Sequence, residues 1–287
     1  MIAVIGTGPA GLSAATYLKR ANIPVMAFTN HKSSLAKAAL IENYYGVGQI
    51  KGIDLYNNGI KNAKELEIPI IEDTIINIEC KNEFILTGLK ETYQAKAIIL
   101  ATGSQKKALN IPGIREYEGQ GISYCSSCDG YFFKNKNIAL IGHGEYANHE
   151  YKYLSNITNK ITRFSNNPEY LDKSFINEHI KEINKNDNQL TIILNNGNNL
   201  VVDGIFIATN DIDTSVLAKK IGIIIENNSI ITDIDMKTNI PGIFACGDNT
   251  KGNKQIAKAV YEGLVAATAC IKYYNEKKEG WCYGKNR

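Results

Sequence analysis

Two Rossmann-like α/β folds in one chain are what this sequence predicts, on three observations. An apolar run at the start, Met1-Ile2-Ala3-Val4-Ile5, breaks into Gly6-Thr7-Gly8-Pro9-Ala10-Gly11 and then into helical spacing. The same order returns at Ile138-Ala139-Leu140-Ile141, followed by Gly142-His143-Gly144-Glu145-Tyr146-Ala147. The third observation is size: 287 residues, 44% hydrophobic and 21% charged, suit about two globular domains, each with a core of its own.

The totals also exclude function classes. A net charge of +3, spread over 32 dispersed basic residues, does not make a nucleic-acid surface, although it tolerates an acidic protein partner. No charged leader precedes the first apolar run and no apolar stretch is long enough to span a bilayer, so a cytoplasmic protein without a membrane partner is expected. Six cysteines are too few for a structural framework, so a disulfide here would be catalytic.

Taken in order, the first apolar run is a strand, and Leu12 to Arg20 is a helix with Leu12, Ala15 and Leu18 on one side. Gly6 and Gly8 allow a tight turn and close approach of a pyrophosphate, and Gly11 lets the helix pack on the strand. The competing reading is a plain glycine turn. A second strand, Ile23 to Thr29, ends in Phe28-Thr29-Asn30 where an acidic residue would ordinarily hold a ribose. Asn30, or backbone groups of the loop Lys32 to Lys37, could take that place. Ala97 to Gly103 is a buried strand running into a small-residue turn, and Leu109-Asn110-Ile111-Pro112-Gly113 reads as a linker.

Next comes Tyr124-Cys125-Ser126-Ser127-Cys128-Asp129-Gly130. Two thiols at this spacing close a short disulfide when the first turn of a helix brings them together, and a helix N-terminus stabilises the attacking thiolate. That reads as a redox pair. The competing readings are half a zinc site, for which Cys80, Cys246, Cys270 and Cys282 and the four histidines offer no matching second pair, or two unrelated buried thiols.

The second strand, glycine turn and helix follow, with later strands at Ile161 to Phe164, Leu190 to Leu194 and Gly204 to Ala208, and a hairpin turn at Asn195-Asn196-Gly197. Ile240-Pro241-Gly242-Ile243-Phe244-Ala245-Cys246-Gly247-Asp248 is a strand that delivers an aspartate at its end, ahead of a helix from Gln255 to about Tyr274. Asp248 suits a sugar or ribityl hydroxyl, or a helix cap. The polar tail, Asn275 to Arg287, reads as a solvated end whose Lys277, Lys278, Lys285 and Arg287 could instead steer an acidic partner.

Together, Gly6 to Gly11, Glu42-Asn43-Tyr44-Tyr45-Gly46, Ala101-Thr102-Gly103, Cys125 to Asp129 and Gly242 to Asp248 resemble the low-molecular-weight thioredoxin reductases. The five motifs stand in that family's order over nearly the whole chain. The resemblance implies an α/β fold of the FAD/NAD-linked reductase type, one Rossmann-like fold inserted in the other. Residues 1–112 and 243–287 would form the FAD domain, and residues 113–242 the redox-disulfide domain on a degenerate NADPH-binding fold. By the same resemblance Gly6, Gly8, Pro9, Ala10, Gly11, Asn30, Asn43, Ala101, Thr102, Gly103, Gly247, Asp248, Gln255, Ile256 and Ala257 would hold FAD. Cys128 would form the flavin adduct and charge-transfer thiolate, Cys125 would exchange with thioredoxin, and Asp129 would be the general acid. A homodimer is implied as well.

Three places depart from the family's pattern, and all would serve NADPH. Tyr146 stands where the loop should carry a small hydroxyl residue, a bulky side chain where the pyrophosphate would lie. Ser165-Asn166-Asn167-Pro168-Glu169-Tyr170 replaces a cluster of cations, and a phosphate dianion without Arg or Lys loses its charge-assisted partners. The strand Ile205 to Ala208 leads into Thr209-Asn210-Asp211 instead of a glycine turn. In this the chain is similar to the pyridine-nucleotide-independent branch of the family, in which reduced ferredoxin feeds FAD. The expectation is therefore FAD, no NADPH, ferredoxin as donor and thioredoxin as acceptor. Competing readings are an NADH- or NADPH-dependent reductase with an unusual site, in which Gly142, Gly144 and Ala147 still hold NADH, a related flavin disulfide reductase with another donor, and a non-catalytic flavin- or partner-binding protein.

Overall fold

The computed structural model describes residues 1–30, 33–103, 109–165, 175–208 and 214–276. The chain forms two compact units, Met1–Gln105 with Leu217–Arg287, and Lys106–Val216.

Unit 1 opens with β1 (Ile2–Ile5), α1 (Pro9–Arg20) and β2 (Val25–Thr29). The second strand begins two residues later than its apolar run, because the Ile23 amide closes the end of α1 on the Leu18 carbonyl and Pro24 has no amide to give. Then come α2 (Gly52–Glu65), β3 (Ile70–Glu72), an antiparallel meander of β4 (Ile75–Cys80), β5 (Phe84–Gly88) and β6 (Thr92–Ala95), and β7 (Ala97–Leu100).

Unit 2 holds β8 (Ile122–Ser123), a single helical turn α3 (Ser126–Asp129), β9 (Ile138–Gly142), α4 (Gly144–Ser155), β10 (Ile161–Phe164) and β11 (Phe175–Ile176). An antiparallel meander follows, β12 (Ile180–Asn186), β13 (Gln189–Leu194) and β14 (Asn199–Val202), and then β15 (Gly204–Ala208). Its five-stranded sheet, β11-β10-β9-β15-β8, is parallel throughout. The expected linker at Leu109 to Gly113 is part of this unit: Leu109 and Ile111 pack on its core, and the Pro112 carbonyl accepts the Ile183 amide at 2.9 Å.

The chain returns to unit 1 through α5 (Thr214–Lys220), β16 (Ile225–Glu226), β17 (Ser229–Ile230), β18 (Ile243–Ala245) and α6 (Ile256–Glu276). The parallel sheet of unit 1 is ordered β18-β7-β1-β2-β3. Both its faces are covered, which is why β1 is apolar without alternation: Ile2 and Val4 pack with Leu18 and Ala266, whereas Ala3 and Ile5 pack with Phe28, Phe84 and Leu100. The return comes at Leu217, not at residue 243 as the sequence suggested. Leu217, Ala218, Ile223 and Ile230 belong to the same core as Phe84 and Ile243, so this stretch is held by unit 1. Among the described residues no helix is long and apolar enough to cross a membrane.

Candidate functional site

In unit 1 the ends of β1, β7 and β18 meet at the carboxyl edge of one parallel sheet, where such sheets bind ligands. Gly6 has φ 114°, and a Cβ there would lie 2.2 Å from the Ala101 carbonyl oxygen; one on Gly11 would lie 1.9 Å from the Gly6 oxygen. Those two contacts draw α1 tightly onto the strand end. Its N-terminus begins at Gly8 with no side-chain cap and no acid in its first turn, so its amides face outward with the positive end of the helix dipole. That is a cradle for a phosphate.

The other expected cofactor residues gather around it. Gly247 packs so closely that a Cβ would stand 2.8 Å from Ala10 Cβ, which sets the Gly247-Asp248 turn against the start of α1. Asn43 Nδ2 donates to Gln255 Oε1 at 3.1 Å, just ahead of Ile256 and Ala257. Ala101, Thr102 and Gly103 follow β7, and Asn30 is exposed after β2. Burial raises the Asp248 carboxyl above its ordinary pKa, with Lys258 and Lys254 pulling the other way.

Sequence reasoning missed what holds this edge together. Lys258 Nζ donates to the Gly247 carbonyl, Thr250 Oγ1 and Glu262 Oε2 at 2.9, 2.9 and 3.0 Å. Glu262 Oε2 in turn accepts from the Gly247 amide and from Thr250 Oγ1, each at 2.8 Å. The i,i+4 spacing of Lys258 and Glu262 was the available signal. Asn249 Nδ2 donates to the Leu100 carbonyl at 2.9 Å and to Thr102 Oγ1 at 3.2 Å. Its Oδ1 is buried without a hydrogen-bond partner among the described residues, an acceptor that suits a ligand donor.

In unit 2, Cys125 and Cys128 are joined by a disulfide. Cys125 caps α3: its Sγ accepts the Cys128 amide at 3.1 Å and lies 3.4 Å from Ser127 Oγ. Ser123 Oγ accepts the Cys125 amide at 3.0 Å and donates to Asp129 Oδ2 at 2.6 Å, which fixes the aspartate beside the pair. Cys125 is only 7% exposed, whereas Cys128 is exposed. Phe133 anchors the end of the motif, its ring against Phe206 and over Gly204, where a Cβ would stand 2.3 Å away.

The second glycine loop differs from its expected form. Tyr146 does not stand in the loop: it is 2% exposed, and its hydroxyl donates to the Tyr124 carbonyl at 3.3 Å, beneath the cysteine motif. The reason is its place on the face of α4 that packs on α3. What sets the loop apart from that of unit 1 is Glu145, exposed in the first turn of α4; Ala147, fully buried where unit 1 has Gly11, is a replacement the glycine fingerprint allows. The other two departures, Asn166 to Tyr170 and Thr209-Asn210-Asp211, lie outside the described residues, as do Lys32 and the tail from Lys277. Cys246 and Cys270 are buried, and burial pushes the thiol pKa of both upward, Cys270 to about 12.

Residues 1–263 match the pyridine nucleotide-disulphide oxidoreductase family. A thioredoxin reductase of Listeria innocua is 32% identical over 97% of this chain and 95% of its own length. Among solved structures, the atypical thioredoxin reductase of Desulfovibrio vulgaris Hildenborough is 33% identical, covers 96% of this chain and 98% of its own, and superposes with a TM-score of 0.88. A ferredoxin-flavin thioredoxin reductase of Clostridium acetobutylicum is 29% identical over 96% of this chain and 98% of its own, with a TM-score of 0.78. FAD is the cofactor expected of this family, and the glycine cradle and the unpaired Asn249 oxygen fit it. With a disulfide at the expected spacing and relatives matched end to end, this chain belongs to the low-molecular-weight thioredoxin reductases of the pyridine nucleotide-disulphide oxidoreductase family.

Proposed function

We propose that this thioredoxin reductase takes its electrons from reduced ferredoxin and not from a pyridine nucleotide. The observation that carries the reading is the start of α4. A carboxylate, Glu145, sits in the first turn where a pyrophosphate would need positive potential, whereas the first turn of α1 carries no acid. The resemblance to a reductase named for ferredoxin supports the same reading. So does the energetics: a ferredoxin near −400 mV and a thioredoxin near −270 mV differ by about 130 mV, on the order of 6 kcal/mol for two electrons.

The cofactor residues proposed are those of unit 1, Gly6 to Gly11, Asn43, Ala101 to Gly103, Gly247, Asp248 and Gln255 to Ala257, with Asn30 at the edge of β2. When bound, FAD supplies the means to collect two single electrons and pass them on as a pair. The chain provides the acceptor. Cys128 presents the exposed sulfur, so the electron pair enters there, the S–S bond opens and Cys125 leaves as a thiolate on the Cys128 amide and the Ser127 hydroxyl. Once uncovered, the Cys125 thiolate attacks thioredoxin's disulfide, forming a mixed disulfide and expelling one thioredoxin thiolate. Cys128 then attacks Cys125 Sγ, which restores the internal disulfide and frees reduced thioredoxin. Asp129, held by Ser123, is placed to give and take the proton.

An anaerobic titration of the flavin-loaded protein tests the donor. Bleaching of the flavin absorbance by reduced ferredoxin, with none by NADPH or NADH, followed by reduction of added thioredoxin, is the expected result. Rapid bleaching by either nucleotide would overturn it.

A further inference from the structure

Asn43 and Gln255, hydrogen-bonded to one another at the cofactor edge of unit 1, each stand at the foot of an exposed segment that the steps above leave idle. The first segment is a closed loop. Ile41 and Ile50 pair across its neck, the Ile41 amide on the Ile50 carbonyl at 2.8 Å and the Ile50 amide on the Ile41 carbonyl at 3.1 Å. Within it Gly46 and Gly48 take φ 86° and 62°, the left-handed backbone that turns the chain back on itself. Its two tyrosines go opposite ways. Tyr44 turns inward and lines a cavity with Leu12, Tyr56 and Ile256, whereas Tyr45 is 99% exposed. Leu40 and Val47 are exposed in the same stretch. A loop clasped at its neck and pinned by one tyrosine thus holds the other out in water.

Lysines frame these apolar groups. Lys37 ends the turn Ser34–Lys37 and Lys51 precedes α2, and the two segments meet where the Gly52 amide donates to the Ala38 carbonyl at 2.9 Å. Beside Gln255 stand Lys251 and Lys254, the latter close enough to pull on the Asp248 carboxyl. All four are exposed. Of the acids on these stretches, Glu42 accepts from the Gln49 side-chain amide, Asp248 is half-buried, and Asp54 is exposed in the first turn of α2. An aromatic and aliphatic centre inside a basic rim is the make-up of a surface that recognises an acidic protein.

We propose that this face of unit 1, the loop 38–50 with Lys37, Lys51, Lys251 and Lys254, is the docking surface for the electron donor, a small acidic iron–sulfur protein. The proposal rests on ferredoxin being the donor and adds where it binds. A one-electron carrier has to bring its cluster close to the cofactor, and Asn43 and Gln255 are among the residues proposed to hold that cofactor. The lysines steer the encounter, and Tyr45 anchors it. Two encounters oxidise two clusters by one electron each, which together make up the pair that opens the Cys125–Cys128 bond.

The test is stopped-flow mixing of the flavin-loaded protein with reduced ferredoxin under anaerobic conditions, following flavin absorbance at ionic strengths from about 20 to about 500 mM. Lys51→Glu combined with Lys254→Glu is expected to slow bleaching about tenfold at low salt and to flatten its salt dependence, whereas Lys51→Arg combined with Lys254→Arg keeps the wild-type rate. Both side chains are exposed, and an acid suits the start of α2. Tyr45→Ser is expected to slow bleaching about threefold at every salt concentration. Dithionite, which needs no docking surface, should bleach all variants alike at high salt, and equal ratios of flavin to protein absorbance show that the cofactor edge is intact. Should the doubly reversed variant not fold, Lys251→Glu carries the test with a smaller effect of the same sign. Charge reversal that leaves both the rate and its salt dependence unchanged would overturn the docking surface, while bleaching of the wild type would keep ferredoxin as the donor. A slower rate that recovers at higher protein concentration, as a dimer re-forms, would give the surface to a second copy of this chain and overturn the proposal as well. A wild-type protein that ferredoxin does not bleach at any salt concentration would remove the donor reading, and the docking surface with it.

Discussion

Gly6 and Gly142 end the central strands of the two units, and each is pressed against the carbonyl of a neighbouring strand end: a Cβ would stand 2.2 Å from Ala101 O in one and 1.8 Å from Ala208 O in the other. Both helices that follow start without a side-chain cap. Past that point the units part. In unit 1, Gly11 and an acid-free first turn bring bare amides up to the sheet edge. In unit 2, Ala147 and Glu145 occupy those places, and α4 turns its polar side chains to the cysteine motif instead, Tyr146 to the Tyr124 carbonyl and Glu150 to the Ser126 amide. The same strand, turn and helix thus leaves bare amides at the sheet edge in the first unit and braces the cysteine turn in the second.

The largest expected effect tests that division directly. Gly6→Ala places a methyl inside the Ala101 carbonyl at φ 114°, at a cost of about 3 kcal/mol or more. The purified variant should carry little flavin, read as the ratio of flavin to protein absorbance, and melt early. Gly142→Ala meets a comparable clash with Ala208, so it should also melt early, yet retain its flavin. Equal loss of flavin from both variants would break the comparison.

A smaller effect is expected from Lys258→Met. Lys258 is one of three donors to Glu262 and also holds the Gly247 carbonyl, so its loss slackens the turn that presents Asp248. The cost is about 2 kcal/mol, the size of a charge-assisted hydrogen bond. Faster release of flavin on dialysis, with an unchanged thiol–disulfide equilibrium in unit 2, is the expected pattern. Flavin held as tightly as in the wild type would show that Asp248 does not need the clasp.

What could be read from the sequence follows physical range. The glycine turns, the strands before them, the Asn195-Asn196-Gly197 hairpin and the helical turn at Cys125 are local patterns, and the structure has all of them. The return to unit 1 at Leu217 was hidden, because α5 and the two-residue strands β16 and β17 carry no period of their own. Only their contact with the core around Phe84 and Ile243 assigns them. Tyr146 and Glu150 were misjudged or passed over for a related reason. On a helix written Gly-Glu-Tyr-Ala-Asn-His-Glu-Tyr-Lys the polar residues look solvated, and α3 is what buries Glu150. Asn249 and Thr250 gave no signal at all, since their partners stand far away in the chain at Leu100, Thr102 and Glu262.

The smallest expected effect concerns Glu145 and sharpens the comparison most. An exposed acid in the first turn stabilises a helix by about 0.3–1 kcal/mol through its dipole, so Glu145→Gln should lower the melting temperature by about 1–3 °C. Flavin reduction by NADPH should remain undetectable, because the stretch after β10, Ser165-Asn166-Asn167-Pro168-Glu169-Tyr170, still offers no Lys or Arg to the 2′-phosphate. If the variant were instead bleached by NADPH, a single carboxylate would have been all that excluded the nucleotide. The second glycine loop would then be a working anion cradle held shut by charge, and the difference between the two units would lie in one side chain and not in how their helices pack.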